Sequence, residues 1–582
     1  MMRLCLFRMA GLVYLLVQTR ALGDLALSIL TLEYLAIPSL PFALLVVGMQ
    51  VLFFLTQLAA GMVLIVWIIN KIGFQGEKPE SARPRFTPSY AAPVDIIIFT
   101  CREPLAVIER TLMATTQIDW PPHLLNIYLS DDGNDPAVRQ LVEQAARDHK
   151  EICRVAYLNR QSRFAAKSGN ILFAIEASAQ HCGGSQLVLT LDADMAPDAS
   201  ILKELVPYFS LPSSSTDHKP LGFVQAPQFF VNTPEVDWLA RSQLFFNLLL
   251  QRFYDQWATT LWSGTNALFN RAALSPPILK WLVENPSLTE DAFATFLIHS
   301  MGFSSIYHES VVARGLAVPS LLALASQNLR IMTGVIQNLL HSRFLTRLPK
   351  PISFKYWRHS FSLVLYPLYR LSPTLVVLWQ LIRLLHPPSL IPAVQFVLAS
   401  GGPFKSFYPW VALIALHLHV ILHSWEFRAE LWRRARFDNI MLWSGWLALV
   451  RGVLSVCFRV SLPWSFSHHS LFFSLEYWSV TAGLFVPMGG SLLSLFLRDP
   501  VGLMVFVPPL INISPVLPEW WRLTFNGRAE PNNPLHEIIA ARNDPSRKKL
   551  QLQEHTRWYY GFEGLFLTCT SMMLFSAFAA SP

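Results

Sequence analysis

Two aspartates one residue apart close the apolar run Leu187-Val188-Leu189-Thr190-Leu191: Asp192 and Asp194, separated by Ala193. Carboxylates of this kind hold a hard divalent cation, Mg²⁺ or Mn²⁺, and such a cation offsets the charge of a diphosphate. If the backbone stays extended beyond Leu191, an i, i+2 pair presents both carboxylates to one side. A solvated acidic turn uses the same residues, so the pair has to be read with its surroundings.

Those surroundings repeat the design. Asp131-Asp132-Gly133 follows Leu125-Asn126-Ile127-Tyr128-Leu129; one carboxylate can accept from a nucleobase N–H while the other works on the cation side, and glycine permits a sharp turn with positive φ. An Asx-turn ending a strand is the plainer reading. Asp291, after Thr289 and Glu290 and before Phe293, Phe296 and Leu297, stands at a helix N-terminus, where a carboxylate can act as a general base. The same residues also make a helix cap. Lys167-Ser168-Gly169-Asn170 offers a cation and a tight turn to phosphate, and Trp262-Ser263-Gly264-Thr265-Asn266 sets small polar groups beside an aromatic ring. Both also read as ordinary loops. Gln327 and Arg330 share one helix face; they can meet a sugar hydroxyl and a departing diphosphate, or simply lipid headgroups.

The elements that must position these groups alternate. Val94 to Phe99, Leu125 to Leu129 and Gln186 to Leu191 read as buried strands, with helical patterns at Val107 to Gln117 and Pro136 to Asp148. Strand and helix in alternation imply βαβ units and a mostly parallel sheet, whose ligands sit outside the carboxyl ends of the strands.

Hydrophobic residues make up 52% of the 582-residue chain and charged residues 14%, well below the roughly 25% charged of an ordinary soluble domain. No charge interrupts Phe42 to Ile69, longer than the roughly 20 residues a membrane span needs. Met9 to Ile37 carries Arg20, Asp24 and Glu33 and reads as an amphipathic helix before a span; Arg3 and Arg8 ahead of apolar sequence also fit a signal peptide. Lys71, Lys78, Arg83 and Arg85 then set the following segment in the cytosol. Further spans are expected at Ser362 to Ile382, Phe407 to Trp425, Leu484 to Leu497, Pro500 to Leu517 and Gly564 to Ala580, with Asn439 to Phe458 along the interface. The expected order is N-terminal transmembrane helices (1–75), a cytosolic catalytic domain (76–320), interfacial helices (321–358), a channel region (359–525) and a polar tail with one more apolar helix (526–582). The formal charge of +8 fits basic residues at helix ends, and no basic run interleaved with aromatics speaks for nucleic acid. The six cysteines form no C-x-x-C pair and no zinc spacing.

In the order of these motifs the chain resembles the processive membrane glycosyltransferases of family 2, above all the cellulose synthase catalytic subunits, over residues 90 to 340 and more loosely to 520. The resemblance implies an α/β GT-A (Rossmann-like) cytosolic domain between transmembrane bundles, and a multi-pass membrane protein. It further implies that Thr100 and Glu103 line a uridine pocket, and that Asp131, Asp132, Lys167, Asn170 and Asp192 bind a UDP-sugar. Asp192 and Asp194 would hold the metal, and Ser263, Gly264, Thr265 and Gln327 would face the acceptor. Asp291 would be the base, with Glu290, Gln327 and Arg330 beside the reaction. The chain departs from the family where Ile331 takes the place of the Trp ending Q-x-x-R-W, where the acceptor loop lacks its Cys, and where Trp478 to Gly483 matches the gating segment without its Lys.

The implied activity is inverting transfer from a UDP-sugar, with UDP-glucose first, to a β-linked glycan that crosses the bilayer, alone as a homo-oligomer or with accessory synthase subunits. Transfer to a lipid or glycoconjugate acceptor, or a catalytically silent synthase subunit, are the alternatives. A pure transporter leaves the soluble α/β stretch without a purpose, because transport sites lie at the bilayer midplane.

Overall fold

The computed structural model describes residues 84–341, apart from 89–90, 151–153, 211–218, 234–236, 238, 256–257 and 319, and then 433, 436–441, 443–459, 475–496, 510 and 513–525. The expected spans before residue 75, from 362 to 425 and from 564 to 580 lie outside the described residues.

Strand and helix alternate as the hydrophobic pattern predicts. The first part runs β1 (Val94–Thr100), α1 (Leu105–Thr116), β2 (Leu125–Asp131), α2 (Pro136–Asp148), β3 (Arg154–Leu158), α3 (Ala166–Cys182), β4 (Leu187–Asp192) and β5 (Ala196–Pro197). It continues through β6 (Leu221–Gln225), β7 (Phe229–Phe230), β8 (Ala267–Asn270), α4 (Pro276–Glu284), α5 (Glu290–Ser300), β9 (Ser304–Tyr307) and β10 (Ala313–Gly315). A seven-stranded sheet has the order β3-β2-β1-β4-β8-β6-β9. It is parallel from β3 to β4, β8 runs antiparallel to both its neighbours, and β6 pairs in parallel with β9. A small sheet, β5-β10-β7, sits beside it.

Every residue of β1 is buried because both faces of the sheet are covered. Ile96, Ile98, Ile127, Leu129 and Leu189 pack on Ile108 and Leu112 of α1 and on Val138 and Val142 of α2. Ile97, Phe99, Tyr128 and Val188 point the other way, onto Ile171 and Ile175 of α3, Leu279 of α4 and Phe293 of α5. Register then lines up the carboxyl ends: Thr100 lies opposite Asp131, and Phe99 opposite Asp192.

Beyond the sheet, α6 (Leu321–Leu340) begins at Ser320, whose hydroxyl accepts from the Ala323 N–H at 3.2 Å. Along it lies α7 (Ser444–Cys457), tied by Asn328 to the Ser444 hydroxyl at 2.7 Å; α7 occupies most of the expected interfacial stretch Asn439 to Phe458. The helix α8 (Leu475–Phe496) corrects one expectation. The apolar helix starts well before Leu484 and takes in Trp478 to Gly483. At Gly483 a Cβ would sit 2.1 Å from the Ile440 carbonyl oxygen, so only glycine lets this helix press on the backbone just before α7. Pro487 lies inside this helix, where it has no N–H to donate to the Gly483 carbonyl. Among the described residues Tyr477–Phe496 is the one helix long and apolar enough to cross a membrane. The last described helix is α9 (Leu517–Phe525), in the stretch where the expected span from Pro500 ends.

One carboxylate breaks the apolar run of β1. Asp95 is fully buried and pairs with Arg271, accepts from the Ser185 hydroxyl at 2.6 Å and from Asn126 at 2.9 Å. This cluster clamps the amino ends of β1, β2 and β4 to the end of β8. Removing the cation leaves a buried charge uncompensated, so Arg271→Ala is expected to lower stability by about 3 kcal/mol, read as a shift in the chemical denaturation midpoint, with Arg271→Lys recovering part of it.

Candidate active site

The turn after β4 holds the acidic pair, and its geometry corrects the extended-chain expectation. The Met195 N–H donates to the Asp192 carbonyl at 3.0 Å, so the chain turns at once instead of running on. Elements on both sides shape that turn. Ala193 N–H continues the β1 ladder to the Phe99 carbonyl at 3.0 Å, the Thr111 hydroxyl donates to the Ala193 carbonyl at 2.6 Å, and Arg110 donates to the Asp194 carbonyl at 2.6 Å. Two α1 side chains thus set where Asp192 and Asp194 point, and neither was singled out from sequence because they belong to no motif.

Lys167, on the first turn of α3, reaches across to Asp192 Oδ1 at 2.7 Å and to the Gly264 carbonyl at 3.2 Å. Burial alone would lower its pKa, but Asp192, Glu290 and Asp291 hold the ammonium well above its ordinary value. Gly264 adopts φ +84°, and a Cβ there would lie 3.1 Å from Asp291 Oδ2 and 3.5 Å from Lys167 Nζ. Lys167, Asp192, Gly264 and Asp291, up to 124 positions apart in sequence, therefore share one small volume. Asp291 lies in the first turn of α5, its Oδ1 accepting from the Ala292 N–H at 2.8 Å. Burial first, then Glu290, pushes its carboxyl up to about 7, against the pull of Lys167, the Ala292 N–H and Arg330.

The rest of the expected acceptor loop divides. Thr265 is fully buried and accepts from the Asp192 N–H at 2.9 Å, so it braces the acidic turn and does not line a wall. Ser263 is half-buried; its N–H donates to Gln225 Oε1 at 3.0 Å, and its hydroxyl has no hydrogen-bond partner among the described residues.

On the other side of β1, the expected donor carboxylates are occupied within the protein. Asp131 accepts from the Gly133 N–H at 2.6 Å, the Asp135 N–H at 2.9 Å and the Tyr157 hydroxyl at 2.9 Å. This is the Asx-turn, and Gly133 serves by close approach and not by positive φ: a Cβ there would lie 2.9 Å from Asp131 Oδ1, while Asn134 takes φ +54°. Asp132 forms a two-pronged pair with Arg160 at 2.7 and 2.6 Å, buried on both sides. Arg160 also donates to the Phe164 and Ala166 carbonyls, shaping the loop that leads to Lys167. Asn170 is buried and locked to Ser130, whose hydroxyl donates to Asn170 Oδ1 at 2.6 Å. Thr100 is buried and donates to Glu103 at 2.6 Å, and Glu103 is half-buried at the rim. Tyr157 and Arg160, the partners of the aspartates, escaped the sequence reading because they lie on β3 and just after it, outside any recognised spacing.

Gln327 is half-buried on α6, Arg330 is exposed, and Ile331 is 39% exposed beside it. Arg330's charge reaches Asp291, so the structure brings Arg330 near the same site.

The oxygen donors fit a hard divalent cation. Burial, followed by the charges of Asp192 and Glu103, pushes the Asp194 carboxyl up to about 7, which is the state of a carboxylate short of positive charge. No group of three or more His, Cys, Asp or Glu in ligand geometry occurs among the described residues. Asp192 and Asp194 would thus supply one or two ligands and leave the rest to phosphate and water, the pattern usual for Mg²⁺.

Residues 92–334 match the family described as glycosyltransferase like family 2. The cellulose synthase catalytic subunit [UDP-forming] of Xanthomonas axonopodis pv. citri is 30% identical over 288 residues, which cover 48% of this chain and 35% of that protein. The corresponding cellulose synthase 1 subunit of Komagataeibacter xylinus is 29% identical over 246 residues, 42% of this chain and 31% of that one. The chain thus spans about a third of the length of the curated relatives it matches. A mannosyltransferase from Pyrobaculum calidifontis, solved with GDP-Man and Mn²⁺, aligns with 71% of this chain and 99% of its own at 18% identity, with a TM-score of 0.44.

At Gly264 the positive φ and the contact with Asp291 coincide. Gly264→Ala is expected to lower stability by about 1–2 kcal/mol in chemical denaturation, without loss of folded secondary structure by circular dichroism.

Proposed function

We propose that this chain, whose residues 92–334 form a glycosyltransferase family 2 domain, is an inverting, metal-dependent membrane transferase that uses a UDP-sugar, UDP-glucose first, to extend a β-linked glycan. One observation carries the reading: Lys167 and Gly264 bring the acidic turn at Asp192 and the raised carboxyl of Asp291 into a single site at the carboxyl end of β4.

Inverting transfer needs a group that takes the proton from an acceptor hydroxyl as it attacks the anomeric carbon, in line with departure of the nucleoside diphosphate. Asp291 has the properties of that base, because a carboxyl titrating near 7 is half ionised at neutral pH and basic enough to accept the proton. Lys167 and Arg330 offer positive charge to the leaving diphosphate, and Asp192 and Asp194 would hold the divalent cation that neutralises it. UDP as the leaving group is supported by the two bacterial relatives, both named as UDP-forming cellulose synthase subunits. A membrane location with the catalytic domain in the cytosol is supported by the charge-free run Phe42 to Ile69 and the basic residues after it.

Exposed Ile331 favours a second reading of the acceptor. A branched alkyl side chain lacks the flat face on which a terminal sugar ring stacks, so a lipid-linked or short acceptor fits this position as well as a long polymer does.

The test is UDP release by the full chain in nanodiscs against a panel of UDP-sugars with Mg²⁺ or Mn²⁺. Asp291→Asn should abolish turnover with UDP affinity near normal; retained turnover would remove the base assignment. Asp194→Ala should weaken metal-dependent UDP binding at least tenfold, and the same affinity with and without the cation would remove its role. The acid limb supplies a further check. Below about pH 7 the Asp291 carboxyl is protonated and cannot accept, so kcat should fall about tenfold per pH unit there. Arg330→Ala takes away a charge that favours the ionised form and should move this limb to higher pH.

A further inference from the structure

The loop that leads into the base, Ser287-Leu288-Thr289, is gripped by the carboxyl half of α6. Gly334 lies so close that a Cβ on it would stand 2.6 Å from both the Thr289 nitrogen and hydroxyl oxygen. The Ser287 hydroxyl donates to the Gly334 carbonyl at 3.2 Å, and the Leu288 N–H donates to Gln337 Oε1 at 2.9 Å. Asn338 donates to the Thr289 hydroxyl at 3.0 Å and carbonyl at 3.3 Å. Gln337 also donates to the Ser455 hydroxyl on α7 at 2.8 Å. Thr289 itself makes no side-chain cap for α5; its N–H donates to the Ser287 hydroxyl at 3.2 Å, and its hydroxyl and carbonyl are held from α6 by Asn338.

Gln327, Arg330, Gly334, Gln337 and Asn338 recur at the spacing of one helix stripe. The face that carries the two motif residues is therefore the face docked on the loop before Asp291. We propose that Gln337 and Asn338 are positioning residues, which hold the Asp291 loop and the Gln327/Arg330 face in one frame and tie that frame through Ser455 to α7. The inference rests on Asp291 being the base. It assigns to residues outside every recognised motif the task of setting the distance between the base and Arg330.

Gln337→Met keeps side-chain length and removes both hydrogen bonds, Asn338→Ala removes both donors, and Gln337→Glu retains an acceptor for Leu288. Amide hydrogen exchange is measured on the full chain in nanodiscs, with UDP release alongside. In Gln337→Met and Asn338→Ala, residues 287–293 should exchange about tenfold faster while β1, β2 and β4 keep their protection, and Gln337→Glu should restore the slow rate. With turnover, kcat should fall at least tenfold at unchanged donor KM, and the acid limb should move to higher pH as Asp291 leaves the field of Arg330. Gly334→Ala, which improves helix propensity yet places a methyl against Thr289, should reproduce these effects. Unchanged exchange in residues 287–293, or a uniform loss of protection across the domain, would overturn the inference. A Gln337→Met enzyme with wild-type kcat and pH profile beside a dead Asp291→Asn would overturn positioning alone; an active Asp291→Asn would instead remove the base reading.

Discussion

The contact between Lys167 and Asp192 is the one on which the rest of the site depends. It is a half-buried cation set among Asp192, Glu290 and Asp291, and its attraction to them outweighs the cost of leaving water. Without it, the start of α3, the end of β4 and the start of α5 would bring like charges together with nothing between them. With it, the site still carries more negative than positive charge. That surplus is visible in the carboxyls of Asp194 and Asp291, both pushed up to about 7 by burial and by neighbouring carboxylates. A site in this condition favours a divalent cation at one end and proton acceptance at the other.

Backbone placement makes this contact possible. β1, β2 and β4 are parallel and in register, so Thr100, Asp131 and Asp192 end at one level of the sheet. The sheet is held in that register by apolar layers on both faces and, at its opposite edge, by the buried Asp95 and Arg271 pair. Strand ends then differ in what they offer. At β2 the carboxylates accept from the backbone of the Asx-turn and from Arg160. At β4 only one oxygen of the pair meets a lysine, which leaves Asp194 with ligand capacity.

Much of this was legible in the chain. Strand positions, the helix from Pro136 to Asp148, the acidic turns and the helix start at Asp291 all follow from periodicity and from residue type, because each depends on neighbours within a few positions. The second role of Asp131 was also legible as an alternative, since an Asx-turn is a local bond to its own backbone. Arg160, Tyr157, Arg110 and the Gln337/Asn338 pair were not. Each acts on a residue 26 to 84 positions away, and nothing in a linear spacing marks a hydrogen-bond partner brought in by the tertiary fold.

The helix Tyr477–Phe496 shows the same division on the apolar side. Its hydrophobicity could be read directly, but the seating of Gly483 on the Ile440 backbone, a contact between separate segments, could not. By itself the sequence determined the α/β alternation, the apolar flanks and the residue types able to bind a cation or accept a proton, since these rest on local preference and hydrophobic pattern. Only the tertiary structure decided which carboxylates are used up by the fold and which stay available, because charge, burial and hydrogen bonding at each one are set by groups distant in the chain.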